Sequence, residues 1–259
     1  MSNGHQDLLT VRGVTKRFTV GDDEVEALAP IDLAISKGEF VCMIGASGCG
    51  KSTLLRIIAG FEEPTTGHVA IDGKPVTGPG SDRGMVFQDY ALFPWMTVKQ
   101  NISFGPRQRH LAREEIDKTT DEFVKMVGLE RFADRYPNQL SGGMKQRVAI
   151  ARVLANNANI LLMDEPFGAL DALTREQLQN ELLLIWKRTG VTTIFVTHSV
   201  EEAVLLADRV LVMSAGPGRI DSDFRIDLPR PRDVSSPEFN ALRRDVARRL
   251  TSHLALARA

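Results

Sequence analysis

The feature that most constrains this chain is the stretch 41–53, which reads Val-Cys-Met-Ile-Gly-Ala-Ser-Gly-Cys-Gly-Lys-Ser-Thr. The apolar run before Gly45 is typical of a buried parallel strand, and the apolar residues after Thr53 predict a helix that ends at Gly60. Glycines at this spacing let consecutive backbone N–H groups turn towards a polyphosphate, and the helix adds its positive N-terminal end. The pattern therefore predicts a phosphate-binding loop. A loop without a ligand is disfavoured because a strand precedes it and a helix follows it.

This loop predicts a nucleotide together with a magnesium ion. In such loops the lysine, here Lys51, reaches the β- and γ-phosphates, and the hydroxyl of Ser52 is a suitable Mg²⁺ ligand. The residues expected to bind the nucleotide are Gly45, Ala46, Ser47, Gly48, Cys49, Gly50, Lys51, Ser52 and Thr53. Kinases, GTPases and many ATPases share the motif, so it predicts the ligand but not the reaction.

A second anion-binding motif occurs at residues 140–147, which read Leu-Ser-Gly-Gly-Met-Lys-Gln-Arg and open a predicted helix. Ser141 is a favourable N-cap, and the glycines at 142 and 143 leave the first helical amides uncovered. Because a helix N-terminus attracts anions, this motif predicts a second phosphate-binding surface in the same chain.

Acidic and histidine side chains follow two further predicted strands. Asp164 and Glu165 come directly after an apolar run, at the strand end where α/β sheets present ligand groups. Asp164 is suited to holding Mg²⁺ and Glu165 to polarising an attacking water. The alternative, a helix N-cap, is weakened by the phosphate loop in the same chain. His198 ends the β-branched run 191–197, and a functional role is favoured over a structural one.

Three features leave two interpretations open. Phe18, at the end of the first predicted strand, either stacks on an adenine ring or belongs to the core. The apolar segment Tyr90–Met96, which follows Gln88, is either core or an exposed partner surface. The final helix, from about Pro237, is amphipathic and basic, and packing on its own domain is favoured over contact with lipid.

Composition narrows the class of protein. The 259 residues include 32 Lys and Arg against 33 Asp and Glu, for a net charge of -1, which argues against nucleic acid as a partner. Two cysteines do not make a disulfide framework and fit a reducing cytosol. No stretch approaches the roughly 18 apolar residues of a membrane span, so we expect the chain to serve a membrane only from a soluble face.

Taken together and in order, these motifs resemble the ATP-binding cassette (ABC) family of transport ATPases over nearly the whole chain. The matching elements are the Walker A loop at 45–53, the Q-loop glutamine Gln88, the signature motif at 140–146, Walker B with its catalytic glutamate at 160–165, the D-loop at 168–171, the switch histidine His198 and the adenine-stacking aromatic Phe18. The resemblance implies an α/β fold: a RecA-like P-loop NTPase core, an antiparallel β-subdomain and an inserted α-helical subdomain.

The resemblance also implies an organisation and a mechanism. We expect one domain over 1–259, with core and β-subdomain at about 1–90 and 157–235, the helical signature subdomain at about 91–156 and the C-terminal helix at about 236–259. Two copies would form a head-to-tail dimer, with each ATP between one Walker A loop and the partner's signature motif. The residues implied in catalysis are Lys51, Glu165 and His198; those implied in Mg²⁺ binding are Ser52, Gln88 and Asp164; those of the signature motif are Ser141, Gly142 and Gly143.

The partners implied are two membrane permease subunits, docking at Gln88–Met96 on the cytoplasmic face of the inner membrane, and indirectly a solute-binding protein. The stretches 93–98 and 229–233 resemble importer subunits of the nitrate, sulfonate and taurine group. Sulfonate or taurine is the first expectation, nitrate or another small anion is the second, and a pyrimidine-type substrate is the third. A non-transport cassette ATPase of DNA repair or translation is the alternative of another class. It is disfavoured because the chain has one cassette and no long coiled-coil block.

Overall fold

The computed structural model describes residues 7–256, apart from residues 169 and 215. In chain order the strands are β1 (Asp7–Val20), β2 (Asp23–Ser36), β3 (Phe40–Gly45), β4 (Thr66–Ile71), β5 (Lys74–Pro75), β6 (Arg83–Val86), β7 (Ile160–Asp164), β8 (Thr192–Val196), β9 (Arg209–Ser214) and β10 (Arg219–Arg225). The helices are α1 (Lys51–Ala59), α2 (Val98–Gln108), α3 (Arg113–Met126), α4 (Gly142–Ala155), α5 (Ala172–Thr189), α6 (Val200–Leu206) and α7 (Pro237–Leu256).

The chain divides into two compact units. The first comprises the described parts of Met1–Pro79 and Thr192–Ala259, and the second is Gly80–Val191. Within the first unit, β2, β1, β4 and β5 pair in that order as an antiparallel sheet. The strands β9, β3 and β8 pair in parallel, and β10 pairs antiparallel to β9 at the edge.

The strand β3 lies between two parallel neighbours in the first unit, since it pairs with β8 on one side and with β9 on the other. Every residue of β3 is buried, as is every residue of β8. A strand covered in this way needs apolar side chains on both faces, which accounts for its uninterrupted apolar sequence. The strand therefore forms a rigid base for the loop that leaves its carboxyl end.

Helix ends in the first unit follow local sequence signals. Gly60 ends α1 in the left-handed conformation, φ 80°, and its N–H donates to the carbonyls of Arg56 and Ile57.

The last helix, α7, packs on α6 and β9. It buries Phe239 and Val246 completely, and its arginines 243, 244, 248 and 249 are exposed. The helix therefore packs on its own unit, which is the interpretation that its sequence favours over contact with lipid.

The second unit combines the parallel pair β6 and β7 with the helices α2 to α5. Thr97 begins α2 with a capping box, in which its hydroxyl accepts from Gln100 N and Gln100 Oε1 accepts from Thr97 N. Asp171 caps α5 by accepting from Thr174 N at 3.0 Å. Hydrogen bonds from Thr174 lower the pKa of the Asp171 carboxyl. Within the described ranges, no helix has both the length and the apolar character needed to cross a bilayer.

Candidate functional site

The phosphate loop of the first unit is closed so tightly that it accepts only glycine at two positions. A Cβ on Gly45 would lie 2.5 Å from Cys49 Sγ and 2.6 Å from the Met213 carbonyl oxygen. Gly50, which precedes α1, has φ 89°, and a Cβ there would lie 2.4 Å from Leu28 Cδ2. The glycines therefore let the backbone itself line the concave side of the loop, at the start of a helix.

The ammonium group of Lys51 lies inside this loop. Its Nζ donates to the carbonyl oxygens of Gly45 and Ala46, both at 2.9 Å, and lies 3.6 Å from Cys49 Sγ. The residue is only 6% exposed. A buried positive charge surrounded by backbone groups is a strong site for an anion, because screening by water is reduced there.

One contact of the loop was not predicted from the sequence. Gly218, in the turn that leads into β10, lies against the loop, and a Cβ there would be 2.2 Å from the Cys49 carbonyl oxygen. Its backbone exchanges hydrogen bonds of 3.0 Å with Ala27 and Ala29. The run Gly216-Pro217-Gly218 is recognisable as a turn, but its position beside the loop depends on long-range strand pairing.

His198 also lies in the first unit, beside the origin of the phosphate loop. It follows β8, whose Val196 is paired with Met43 of β3, and the N–H of Thr197 donates to the Met43 carbonyl oxygen at 3.1 Å. The side chain is exposed. Parallel pairing thus brings His198 to the same sheet edge as Gly45, two residues beyond Met43.

The second unit brings Gln88 and Glu165 together. Because Val86 of β6 is paired with Met163 of β7, the residues after both strands lie at one edge. A Cβ on Gly168 would lie 3.5 Å from Gln88 Nε2 and 3.9 Å from Glu165 Oε2, so both side chains approach this glycine. The structure therefore groups an amide and a carboxylate at the end of β7, next to Asp164.

Glu165 has an unusual backbone. Its φ is 45°, in the left-handed region that residues with a Cβ rarely adopt. Such conformations cost about 1–3 kcal/mol and concentrate at functional sites. The sequence carries no signal for this conformation, since Glu is not a residue that favours it.

The signature motif forms the N-terminus of α4. Ser141 is exposed and its hydroxyl accepts from Met144 N at 3.3 Å, as a helix N-cap. A Cβ on Gly142 would lie 3.3 Å from the Tyr90 hydroxyl and 3.2 Å from Leu170 Cδ2. Ser141 is therefore the helix N-cap expected from the sequence, Gly143 is buried, and anion binding at this helix end stays a prediction.

The segment 90–96 is neither simply core nor simply surface. Trp95 is 69% exposed, whereas the Phe93 ring packs on Phe104 with centroids 4.6 Å apart and lies 5.3 Å from the Arg152 guanidinium carbon. The buried side-chain amide of Asn101 donates to the carbonyl oxygens of Phe93, Met96 and Thr97. The segment is thus an ordered loop that presents one large aromatic ring.

Phe18 lies on β1, in the antiparallel sheet, and is half-buried. The ammonium group of Lys16 lies 4.9 Å from its ring centroid and is paired with Glu62 at 2.5 Å. The ring is therefore partly accessible, and its role in stacking on a base stays a prediction.

The strand, glycine-rich loop and helix of the first unit define a nucleotide-binding protein of the P-loop class. The sequence model of the ABC transporter family matches residues 28–168, and an uncharacterized ABC transporter ATP-binding protein of Methanocaldococcus jannaschii is 56% identical, over 92% of this chain and 89% of that protein. The chain therefore belongs to the ABC transporter family and is an ATPase subunit.

Two further relatives carry substrate names. The taurine import ATP-binding protein TauB of Roseobacter denitrificans is 46% identical over 92% of both chains. The nitrate import ATP-binding protein NrtD of Synechocystis sp. is 48% identical over 92% of this chain and 89% of that protein.

The fold is also similar to that of a solved ATP-binding cassette, described as the dimeric post-hydrolysis state bound to ADP and Pi. That structure superposes with a TM-score of 0.74 at 36% identity, covering 85% of this chain and 100% of that chain. The expected family and α/β P-loop fold are confirmed.

Proposed function

We propose that this chain is the ATP-hydrolysing subunit of an importer for a small anionic solute, with a sulfonate such as taurine as the first candidate. The observation that supports importer function most directly is its similarity, over 92% of the chain, to relatives named for taurine and nitrate import. Nitrate or another small anion is the second candidate, which the 48% identity to the relative named for nitrate import supports.

We assign the chemistry to three groups. Lys51 neutralises charge on the β- and γ-phosphates from within its loop, where its Nζ is fixed by two carbonyl oxygens. Glu165 accepts a proton from the attacking water, and His198 orients the γ-phosphate. The remaining loop residues bind through their backbone N–H groups, and Phe18 stacks on adenine.

The residues proposed for Mg²⁺ fit that ion by their chemistry. Ser52, Gln88 and Asp164 offer a hydroxyl, an amide oxygen and a carboxylate, the oxygen ligands that Mg²⁺ prefers. Among the described residues no group of three or more His, Cys, Asp or Glu side chains could hold a metal by itself. We propose that the ion is held jointly by these residues and the nucleotide phosphates, since Mg²⁺ is commonly bound by one or two protein ligands together with substrate phosphates. When bound, it neutralises phosphate charge.

We propose that two copies pair head to tail, so that each ATP contacts the phosphate loop of one copy and Ser141, Gly142 and Gly143 of the other. A similar cassette described as dimeric with ADP and Pi supports the pairing of two copies, and the head-to-tail contact is our proposal. The chain would work at the cytoplasmic face of the inner membrane as a peripheral subunit, with two permease subunits docking at Gln88–Met96 and a solute-binding protein acting indirectly.

Solute uptake tests the proposed importer function. A strain lacking this gene should lose uptake of labelled taurine, another sulfonate or nitrate. Wild-type protein should restore uptake, whereas Lys51→Ala should not, because transport requires hydrolysis. Unchanged uptake of all three solutes, together with a defect in DNA repair or translation, would favour the non-transport class.

The exposed aromatic ring of the 90–96 segment tests the docking surface. Because Phe93 packs on Phe104, Phe93→Asp perturbs the fold as well as the surface, and Trp95→Asp is the cleaner change. We expect Trp95→Asp to abolish co-purification with the permease subunits while ATP binding persists. Leu184→Asp on α5 is the matched control, since Leu184 is also 69% exposed. Equal loss of assembly in both variants would argue against a specific surface.

A further inference from the structure

Thr197 and Ser199, the residues on either side of His198, are joined by a ring of hydrogen bonds. The ring includes one buried carboxyl group, that of Glu202. The Thr197 hydroxyl donates to Glu202 Oε2 at 2.5 Å. Its oxygen accepts from Ser199 N at 3.0 Å, and the Ser199 hydroxyl oxygen accepts from Glu202 N at 3.2 Å. Thr197 is 2% exposed and Glu202 is 7% exposed. The ring therefore spans His198 from inside the protein.

The ring differs from an ordinary capping box. There, the third helical residue, a Glu or Gln, bonds directly to the backbone N–H of the N-cap residue. Glu202 is the third residue of α6 and Ser199 is its N-cap, but the hydroxyl of Thr197 stands between the carboxyl and that N–H. The helix cap is thus extended to the last residue before His198, which a cap alone does not require.

The ring is also fixed to the strand that leads to the phosphate loop. Thr197 N donates to the carbonyl oxygen of Met43 at 3.1 Å. Met43 lies on β3, two residues before Gly45. Burial raises the pKa of the Cys42 thiol on β3, and the negative charge of Glu202 raises it further. A buried carboxylate is costly unless it is well bonded, so its position here is tightly specified.

We propose that Glu202 is a positioning residue for ATP hydrolysis, which acts through Thr197 and Ser199 to hold the backbone of His198 in the orientation that places its imidazole on the γ-phosphate. This inference rests on the proposed role of His198. Glu202 itself touches neither nucleotide nor water in this mechanism.

The test compares steady-state ATP hydrolysis by the full chain and its variants. Glu202→Ala and Thr197→Val should each lower kcat by at least about tenfold, because small misplacements of a catalytic group are costly, while KM for ATP changes less than about twofold. Glu202→Gln and Thr197→Ser should recover most of the activity, since an amide oxygen still accepts and a serine hydroxyl still donates.

The decisive comparison uses His198→Ala as the background. If Glu202 acts through His198, the double variant His198→Ala/Glu202→Ala should have the same kcat as His198→Ala alone. A further loss of about tenfold in the double variant would overturn the inference, as would full activity of both Glu202→Ala and Thr197→Val.

Two controls keep the outcome interpretable. If Glu202→Ala does not fold, Thr197→Val decides the matter, because valine keeps the branched shape of threonine and replaces the hydroxyl with a methyl group, which removes the hydrogen bonds of the hydroxyl. Full activity of His198→Ala would instead refute the proposed function of that histidine, which separates failure of the proposed function from failure of this inference.

Discussion

Replacement of Lys51 by alanine is expected to lower ATP hydrolysis by about 10²- to 10³-fold, the usual cost of removing one group that stabilises transition-state charge. Lys51 is 6% exposed, and its ammonium lies 2.9 Å from each of two loop carbonyl oxygens, so no mobile solvent cation can replace it easily. Phosphate release at saturating Mg-ATP measures the effect.

Lys74→Ala is the control for this experiment, since Lys74 is an exposed lysine of the same unit, on β5. It should keep wild-type turnover, and a thermal melt should show that Lys51→Ala remains folded. Near wild-type hydrolysis by a folded Lys51→Ala protein would remove Lys51 from the role proposed for it.

Replacement of Glu165 by glutamine is expected to lower hydrolysis by about 10²- to 10⁴-fold, the range for loss of a general base. Glutamine keeps the size and hydrogen bonding of the side chain but accepts no proton at neutral pH. ATP affinity should be unchanged or higher, because a negative charge near the γ-phosphate is removed. Single-turnover hydrolysis and equilibrium ATP binding separate the two effects. Glu176→Gln, at an exposed position of α5, is the matched control, and loss of ATP binding by Glu165→Gln alone would contradict the proposed role.

Features set by neighbouring residues could be predicted from the sequence. The strand, loop and helix at 40–59 follow from one apolar run and a glycine pattern. The caps at Thr97, Ser141 and Ser199 follow from a side chain that bonds three residues ahead. In each case the signal and its structural consequence lie within a few residues, so no knowledge of distant packing is needed.

Features set by distant contacts could not be predicted in this way. Gly218 meets Cys49 only because strands far apart in sequence pair, and the left-handed backbone of Glu165 has no signal in its residue type. The subdomain limits at about 91–156 and 236–259 stay predictions. The roles of the individual site residues are also predictions, and the experiments above address them.

The arrangement of two copies around ATP is the central claim, and size-exclusion chromatography of Glu165→Gln tests it most directly. The column is run with ATP, first without Mg²⁺ and then with Mg²⁺ added. In both runs this variant should elute as a dimer, because ATP binds but is not hydrolysed. Adding Ser141→Arg should restore the monomer, since it places bulk and charge where the partner's phosphates would lie at the exposed end of α4. Adding Thr97→Arg instead, at the N-cap of α2, should leave the dimer intact. A Glu165→Gln/Ser141→Arg protein that still dimerises with ATP would contradict the claim.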